Sequence, residues 1–415
     1  MRSLFFSAAL TIMLVGCSTN NGTTGTTTTS NNNASIDTAT APPVETRSPN
    51  TAYKPAFPGQ TRIAGVRTTA PFTVTAISTE LNSPWGIAPL PDGRLIITQK
   101  GGSLRIATNT GQLSPLIAGL PRVDPRGQGG LLGIAVDPDF AANRMLYWTF
   151  SEPVSGGNHT SVAKGKLSAD ERSVEGVTVI YRALPVYDGD KHYGSRILVA
   201  RDGNLIVSTG ERSDLKTRPQ AQWLTSGLGK IIRITKEGKP AEGNPFLNRN
   251  DARPEVWSYG QRNPQGLAFH PVTGDLWESE MGPRGGDEIN IIKPGVNFGW
   301  PTITYGIEYS GQKIGAGITQ QSGMEQPVYY WDPVLSPSGM TFYSGTAIPE
   351  WQNNLFICGL NSKHIARIVI RDNKVVGEER LLQDQNQRFR DITQGTDGAL
   401  YAVTDGGRLY RIAAR

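Results

Sequence analysis

The chain has little cysteine: two in 415 residues, Cys17 and Cys358. A fold stapled by several disulfides is therefore excluded. Histidine is also scarce, with four copies, so a site built from many imidazoles is excluded too. No apolar run reaches the ~20 residues that a membrane-spanning helix needs. Charged residues make up 19% of the chain, and nowhere do Lys or Arg form a long run. A net charge of +5 spread this thinly does not describe a nucleic-acid binder. It is compatible with a small anionic ligand held by a few arginines.

Glycine and proline are abundant, at 48 and 28 copies, beside a 37% hydrophobic fraction. That combination points to many short strands joined by tight turns. The first residues read differently. Arg2 and the short apolar stretch Leu4 to Val15 form a signal peptide over residues 1–16. Leu14-Val15-Gly16-Cys17 has the form of a lipoprotein cleavage box, so Cys17 is expected to carry lipid and anchor the chain to a membrane. The alternative is an ordinary signal peptide in which Cys17 is incidental. Residues 17–70 are rich in Thr, Asn and Ser and are expected to be a disordered tether. With Cys17 acylated, Cys358 has no partner; its setting, Leu355-Phe356-Ile357-Cys358, reads as a buried strand with an inert thiol.

From about residue 71 to 415 a repeat appears. Each copy has an apolar strand that opens near a Gly, a turn often written Asp-Gly, a second apolar strand, and a third carrying Arg or Lys. The copies begin near Gly86, Gly133, Ile197, Gly266, Gly339 and Ile392. A fourth strand follows most of them. Six such units predict an all-β fold, a six-bladed propeller with four-stranded antiparallel blades. The last copy lacks its fourth strand, and Phe72 to Ile77 can supply it and close the ring.

Starts of innermost strands, and loops between second and third strands, lie on one face of such a fold. The first set carries Trp85, Gln128, His192 with Arg196, Arg262 with Asn263, Ser336, and Arg388 with Arg390. The second carries Gly282 and Pro283, with Asp287 and Glu288 beyond, and Asn361 with Lys363. Cations, amides and one histidine thus converge on one channel mouth, as a polar ligand site requires. The bland readings are a solvated strand edge for Arg388 and Arg390, and an exposed pair for Asp287 and Glu288. His159, His270 and His364 read as structural; His192 differs because it shares the register of Gln128, Arg262 and Arg388.

On these residues the domain resembles the soluble quinoprotein sugar dehydrogenases of the glucose/sorbosone dehydrogenase family, and most of all their shorter aldose-oxidising branch. The resemblance spans residues 72–415. It is carried by Pro84-Trp85-Gly86, Gln128 to Gly133, His192 with Arg196, Tyr259 to Gly266, Glu280 to Pro283, Asp287 to Asn290, Asn297 to Pro301 and Arg388 to Asp391. It implies pyrroloquinoline quinone (PQQ) and Ca2+ as cofactors and an aldose as substrate. His192 would be the general base, with Arg262 assisting catalysis. Gln128, His192, Arg262, Asn263, Asn361, Arg388 and Arg390 would hold the quinone. The carbonyls of Gly282 and Pro283 would bind the calcium that touches it, and the Glu288 carboxylate and Phe298 carbonyl a second, structural calcium. Asn361 stands where larger relatives have a lysine, with Lys363 two residues on, and Phe298 replaces a tyrosine.

The implied chemistry fits the residue types. Arginine pairs bidentately with the carboxylates of such a cofactor. Calcium takes carbonyl oxygens. A neutral imidazole of ordinary pKa, ~6.5, can remove the anomeric hydroxyl proton as hydride leaves C1. Electrons would pass to a periplasmic acceptor, at the outer membrane if Cys17 is lipidated. A non-enzymatic propeller that binds sugar or a protein partner is the alternative. A calcium lactonase would want acidic and amide ligands, which this Gln, His and Arg set does not supply.

Overall fold

The computed structural model describes residues 41–415. The signal segment, Cys17 and the first part of the tether lie outside the described residues. Strand β1 (Phe72–Ser78) precedes the first blade, which holds β2 (Pro84–Pro89), β3 (Leu95–Gln99) and β4 (Ser103–Ala107). The second blade is β5 (Leu131–Val136), β6 (Met145–Val154), β7 (Gly157–Leu167) and β8 (Val174–Arg182). The third is β9 (Gly194–Val199), β10 (Leu205–Thr209), β11 (Lys230–Ile234) and β12 (Val256–Tyr259). The fourth is β13 (Pro264–Phe269), β14 (Leu276–Glu280), β15 (Asp287–Ile292) and β16 (Tyr329–Trp331). The fifth is β17 (Pro337–Phe342), β18 (Leu355–Gly359), β19 (Ile365–Arg371) and β20 (Lys374–Leu381). The sixth is β21 (Phe389–Gln394), β22 (Leu400–Thr404) and β23 (Leu409–Ala414), completed by β1.

Every blade is antiparallel, and the innermost strands β2, β5, β9, β13, β17 and β21 neighbour one another in a closed ring. The predicted closure is present: Val74 pairs with Ile412 and Phe72 with Ala414. Five blades have four strands. The first has three, and its outer edge is met only by isolated bridges from Leu113 and Ile117.

The repeated glycine has a packing cause. A Cβ on Gly133 would stand 2.3 Å from the Ser195 carbonyl of the next innermost strand, and one on Gly266 2.6 Å from that of Ser338. The innermost strands approach too closely for any side chain there. Away from the channel the blades spread, and large residues fill the wedge. Between the first and second blades lie Leu104, Ile134, Trp148 and Phe150; between the fifth and sixth, Trp351, Phe356, Phe389 and Tyr410. Cys358 belongs to the latter cluster and is a free, buried thiol.

The tether expectation fails for residues 41–70. They form a strap across the outer edges of the fourth and fifth blades. Asn50 and Thr51 donate backbone N–H groups to Asp332 at 2.8 and 3.1 Å. Arg62 donates to the carbonyls of Glu45, Arg47 and Asp332. Gly65 bridges Glu378 on β20, and Glu45 accepts from Arg380 at 2.8 Å. Thr68 binds Glu379 through both its N–H and its hydroxyl. Composition concealed this because the strap orders itself by polar contacts to an existing edge, burying little apolar surface of its own.

Candidate active site

His192 precedes β9 in the left-handed region, with φ 48°. A non-glycine residue there costs about 1–3 kcal/mol and persists only when its surroundings over-determine it. They do so here. The His192 N–H donates to Gln128 Oε1 at 2.8 Å, and its carbonyl accepts from the Arg212 N–H at 3.3 Å. Gly210 packs against that carbonyl; a Cβ would come within 2.1 Å of it. The ring is fixed by a 2.6 Å contact from Nδ1 to the Glu211 carboxylate.

His192 is buried, and burial is the largest cause that lowers its pKa to about 4; the Arg262 charge adds to it, and Glu211 opposes both. The imidazole is therefore neutral at pH 7 with a wider margin than the ordinary value of ~6.5 implied. With Nδ1 donating to Glu211, Nε2 is the nitrogen left with a free lone pair.

Arg262 and Asn263 sit at the start of β13. The Arg262 Nη1 donates to the carbonyls of Met281 and Gly282 at 2.9 and 2.7 Å. Its guanidinium carbon lies 5.0 Å from the Trp300 ring centroid. Glu280 accepts the backbone N–H groups of both Arg262 and Asn263, at 2.5 and 3.2 Å. Asn263 Oδ1 accepts from the Gly194 N–H, which ties the third and fourth blades together beside His192.

A cavity of about 300 Å³ opens beside this cluster, lined by Gln128, Arg388 and Arg390 together with Trp85, Lys100, Gln265, Met281 and Asp405 among others. Both arginines pair with Asp405, at 2.9 and 2.8 Å. They face the cavity, while Phe389 between them is in the core, so the strand-edge reading does not hold. Burial, and then the neighbouring Arg390, holds the Lys100 ammonium below the usual lysine range. Three cations thus surround one carboxylate, and the excess positive charge is unneutralised.

Arg196 lies deeper. It pairs with Asp391 at 2.6 Å and stacks on Trp85 with its guanidinium carbon 4.6 Å from the ring. This layer separates the polar cavity from a wider, mostly apolar one of about 440 Å³ between the innermost strands.

Asp287 and Glu288 are buried, not an exposed pair. Asp287 accepts the N–H groups of Gly282, Leu335 and Ser336 at 2.8, 2.7 and 2.7 Å, pinning the Gly282–Pro283 turn to the fifth blade. Glu288, Glu280 and Phe298 face one small gap beneath Arg262 and Trp300. Burial first, and then the neighbouring carboxylates, raises Glu278, Glu280 and Glu288 above the carboxylate range. Glu278 Oε1 is buried without a hydrogen-bond partner. Among the described residues no three His, Cys, Asp or Glu side chains are grouped so as to hold a metal by themselves.

The structure thus brings together Gln128, His192, Arg262, Asn263, Arg388, Arg390, Gly282 and Pro283. It does not bring in Asn361, which is exposed one residue beyond the cavity-lining Leu360; Lys363 is also exposed and donates to Asn386. The other histidines bond to nearby backbone: His159 to Ala183, His270 to Val272 and Thr273, His364 to Ser362. Sequence reasoning missed Lys100, Glu211 and Asp405. All three follow a second strand by one or two residues, the register already read at Gly282.

The profile of the glucose/sorbosone dehydrogenase family matches residues 81–411. The aldose sugar dehydrogenase YliI of Escherichia coli K12 is 41% identical over 353 residues, 83% of this chain and 94% of that protein. Quinoprotein glucose dehydrogenase B of Acinetobacter calcoaceticus is 26% identical, over 80% of this chain and 85% of that one. The PQQ-bound aldose sugar dehydrogenase of Streptomyces coelicolor superposes with a TM-score of 0.68 at 31% identity, over 84% of this chain and 99% of that one. With the match covering nearly the whole propeller, the chain belongs to the glucose/sorbosone dehydrogenase family.

Proposed function

We propose that this protein oxidises aldose sugars at C1 to the lactone, with PQQ and Ca2+ as cofactors and His192 as general base. The observation that carries the reading is a neutral, carboxylate-backed imidazole beside a cavity with unneutralised positive charge. Bound PQQ would supply the two-electron acceptor for the hydride leaving C1. Every other task falls to the chain. His192 Nε2 takes the anomeric hydroxyl proton, and Glu211 stabilises the imidazolium that results. Arg262, with carbonyl partners and an indole, keeps its charge free for a developing oxyanion. Lys100, Arg388 and Arg390 answer the cofactor's carboxylates, with Gln128 beside them.

The residues also fit calcium. The Gly282–Pro283 turn offers hard carbonyl oxygens, although Gly282 already accepts from Arg262, so an ion there would share that oxygen. Glu288 beside Phe298, next to carboxylates that burial and mutual repulsion destabilise, fits a second ion. Asn361 keeps no support for a cofactor role from its position.

We also propose export, with lipid on Cys17 holding the domain on the periplasmic side of the outer membrane and electrons passing to a periplasmic acceptor. Mass spectrometry of the mature N-terminus tests the lipid; an unmodified Cys17 ends that part. The enzymatic reading is tested by loading apoprotein with PQQ and calcium and following dye reduction by a panel of aldoses. Bound cofactor with no turnover on any sugar would overturn it in favour of a binding propeller.

A further inference from the structure

The long connection between β10 and β11 spans residues 210–229 and carries Glu211, the partner of His192, near its start. At its centre it is clasped to the segment after β15. Arg218 forms a two-pronged ion pair with Glu308, Nη1 to Oε1 at 2.5 Å and Nη2 to Oε2 at 3.3 Å, partly shielded from solvent. Gln222 and Asn297 exchange amide hydrogen bonds at 3.0 and 2.7 Å, and Gln222 also donates to the Trp300 carbonyl at 2.7 Å. Between the clasp and the active site lies Trp300, 4% exposed. Two guanidinium carbons approach its ring centroid, that of Arg218 at 5.3 Å and that of Arg262 at 5.0 Å.

Arg262 forms no ion pair among the described residues, although Glu280 and Glu288 share the gap beneath it, and its Nε is buried without a partner. Two carbonyls and the indole face therefore set where its charge stands. The indole is in turn held by Arg218, whose Nε is also buried and unpartnered. Each cation is attracted to the ring, by ~0.5–2 kcal/mol according to its desolvation. The ring also packs against Ala221 and Ile314, and the Glu308 carboxylate holds the Arg218 guanidinium over it.

We propose that Arg218, Glu308 and Trp300 are positioning residues: the Arg218–Glu308 clasp fixes Trp300, and through it the Arg262 guanidinium and the loop that carries Glu211. The proposal rests on the reading of Arg262 and His192 as catalytic. It assigns the clasp to turnover and not to cofactor retention, since neither Arg218 nor Glu308 lines the cation-rich cavity. A loosened clasp lets Arg262 and Glu211 wander by fractions of an ångström, which costs rate more than binding.

The test uses the full chain with Arg218→Glu, Glu308→Arg and the charge-swapped pair. Amide hydrogen exchange across residues 212–228 is measured on the apoprotein, and kcat and KM on protein loaded with PQQ and calcium. Each single variant should lose protection in that loop and lower kcat by ~10-fold, with cofactor affinity and KM within about threefold. The swapped pair should recover the protection but not the full kcat, because a carboxylate at position 218 restores the ion pair without the attraction to the Trp300 ring. Lost protection with kcat unchanged, or protection unchanged in the single variants, overturns the proposal. A wild type that binds PQQ yet oxidises no sugar overturns the functional reading instead, and the exchange measurement still decides whether the clasp holds the loop.

Discussion

The Nδ1 atom of His192 stands 2.6 Å from a Glu211 carboxylate that is 1% exposed, so the only histidine at the channel mouth is backed by a buried acid. One Glu211 oxygen accepts the hydrogen bond from Nδ1–H, and the other, Oε2, is buried without a partner. The pair fixes which nitrogen is free, and in the proposed reaction it would offer a charge to the imidazolium. Glu211→Gln keeps the volume and removes the charge, and its amide can hold the wrong tautomer. We expect kcat to fall ~10²-fold with cofactor binding intact, and His192→Ala to cost at least as much. Steady-state kinetics on loaded protein decide it. An unchanged kcat in His192→Ala would remove it from the proton-transfer role.

Burial and the charge of Arg262 hold His192 at about 4, and this has a definite sign. The neutral, base-competent form persists as pH falls through 6.5 and is lost only near 4. Imidazole nitrogen chemical shifts of the apoprotein should therefore show His192 half-protonated near pH 4. Arg262→Met removes the second-largest cause and should move the midpoint upward. A wild-type midpoint near 6.5 would contradict the buried, cation-flanked setting.

Lys100, Arg388 and Arg390 meet one carboxylate, Asp405, at the cavity wall. An anionic ligand should therefore bind more tightly the more of this positive charge remains. Lys100→Met removes one cation and should weaken PQQ binding by ~10-fold, a loss of about 1.4 kcal/mol. Asp405→Asn removes the competing anion and should not weaken it. Titration of the apoprotein by fluorescence quenching measures both. Equal affinity in Lys100→Met would place the cofactor elsewhere.

Most of the propeller was legible because its repeat is written in residues that the geometry forces. The glycines at Gly133 and Gly266 face a neighbouring carbonyl, and the apolar runs alternate with turns at a fixed spacing. The innermost-strand starts were equally readable, so Gln128, His192, Arg262 and Arg388 were read as sharing one channel mouth. Lys100, Glu211 and Asp405 were missed because that second-to-third-strand register was searched in only two repeats. Asn361 was carried by position in a family pattern, yet its side chain is exposed. The strap over 41–70 was invisible for a different reason: its polar residues are ordered by Asp332, Glu378 and Arg380, more than 250 residues away.

Asp287 ties the Gly282 turn to the fifth blade through three backbone N–H groups. Asp287→Ala would strand three donors in a buried place. At ~1–3 kcal/mol for each unsatisfied group, a loss of at least ~3 kcal/mol is expected in urea unfolding. The same variant should weaken any calcium effect on stability, because the Gly282 and Pro283 carbonyls lose their fixed positions. In the wild type, calcium at ~100 times its Kd should add about 2.7 kcal/mol, and chelation should remove it. No response to calcium in the wild type would count against the ion at either site.

The strap offers the last prediction. It meets the outer edge of β16 where the Tyr330 N–H donates to the Gln60 carbonyl, and that of β20 at Gly65 and Glu378, and an uncovered edge strand is a template for pairing with another chain. Deleting residues 41–66 removes the donors to Asp332 and the Glu45 partner of Arg380. Hydrogen bonds to charged groups contribute ~1.5–3 kcal/mol each, so the melting temperature should fall by many degrees. Soluble aggregate should appear by light scattering below the melting transition. The kcat of the molecules that remain folded should hold, because no strap residue lines the cation-rich cavity. Unchanged melting and no aggregation would mean that residues 41–66 only rest on the blades, and the tether reading would then extend through them.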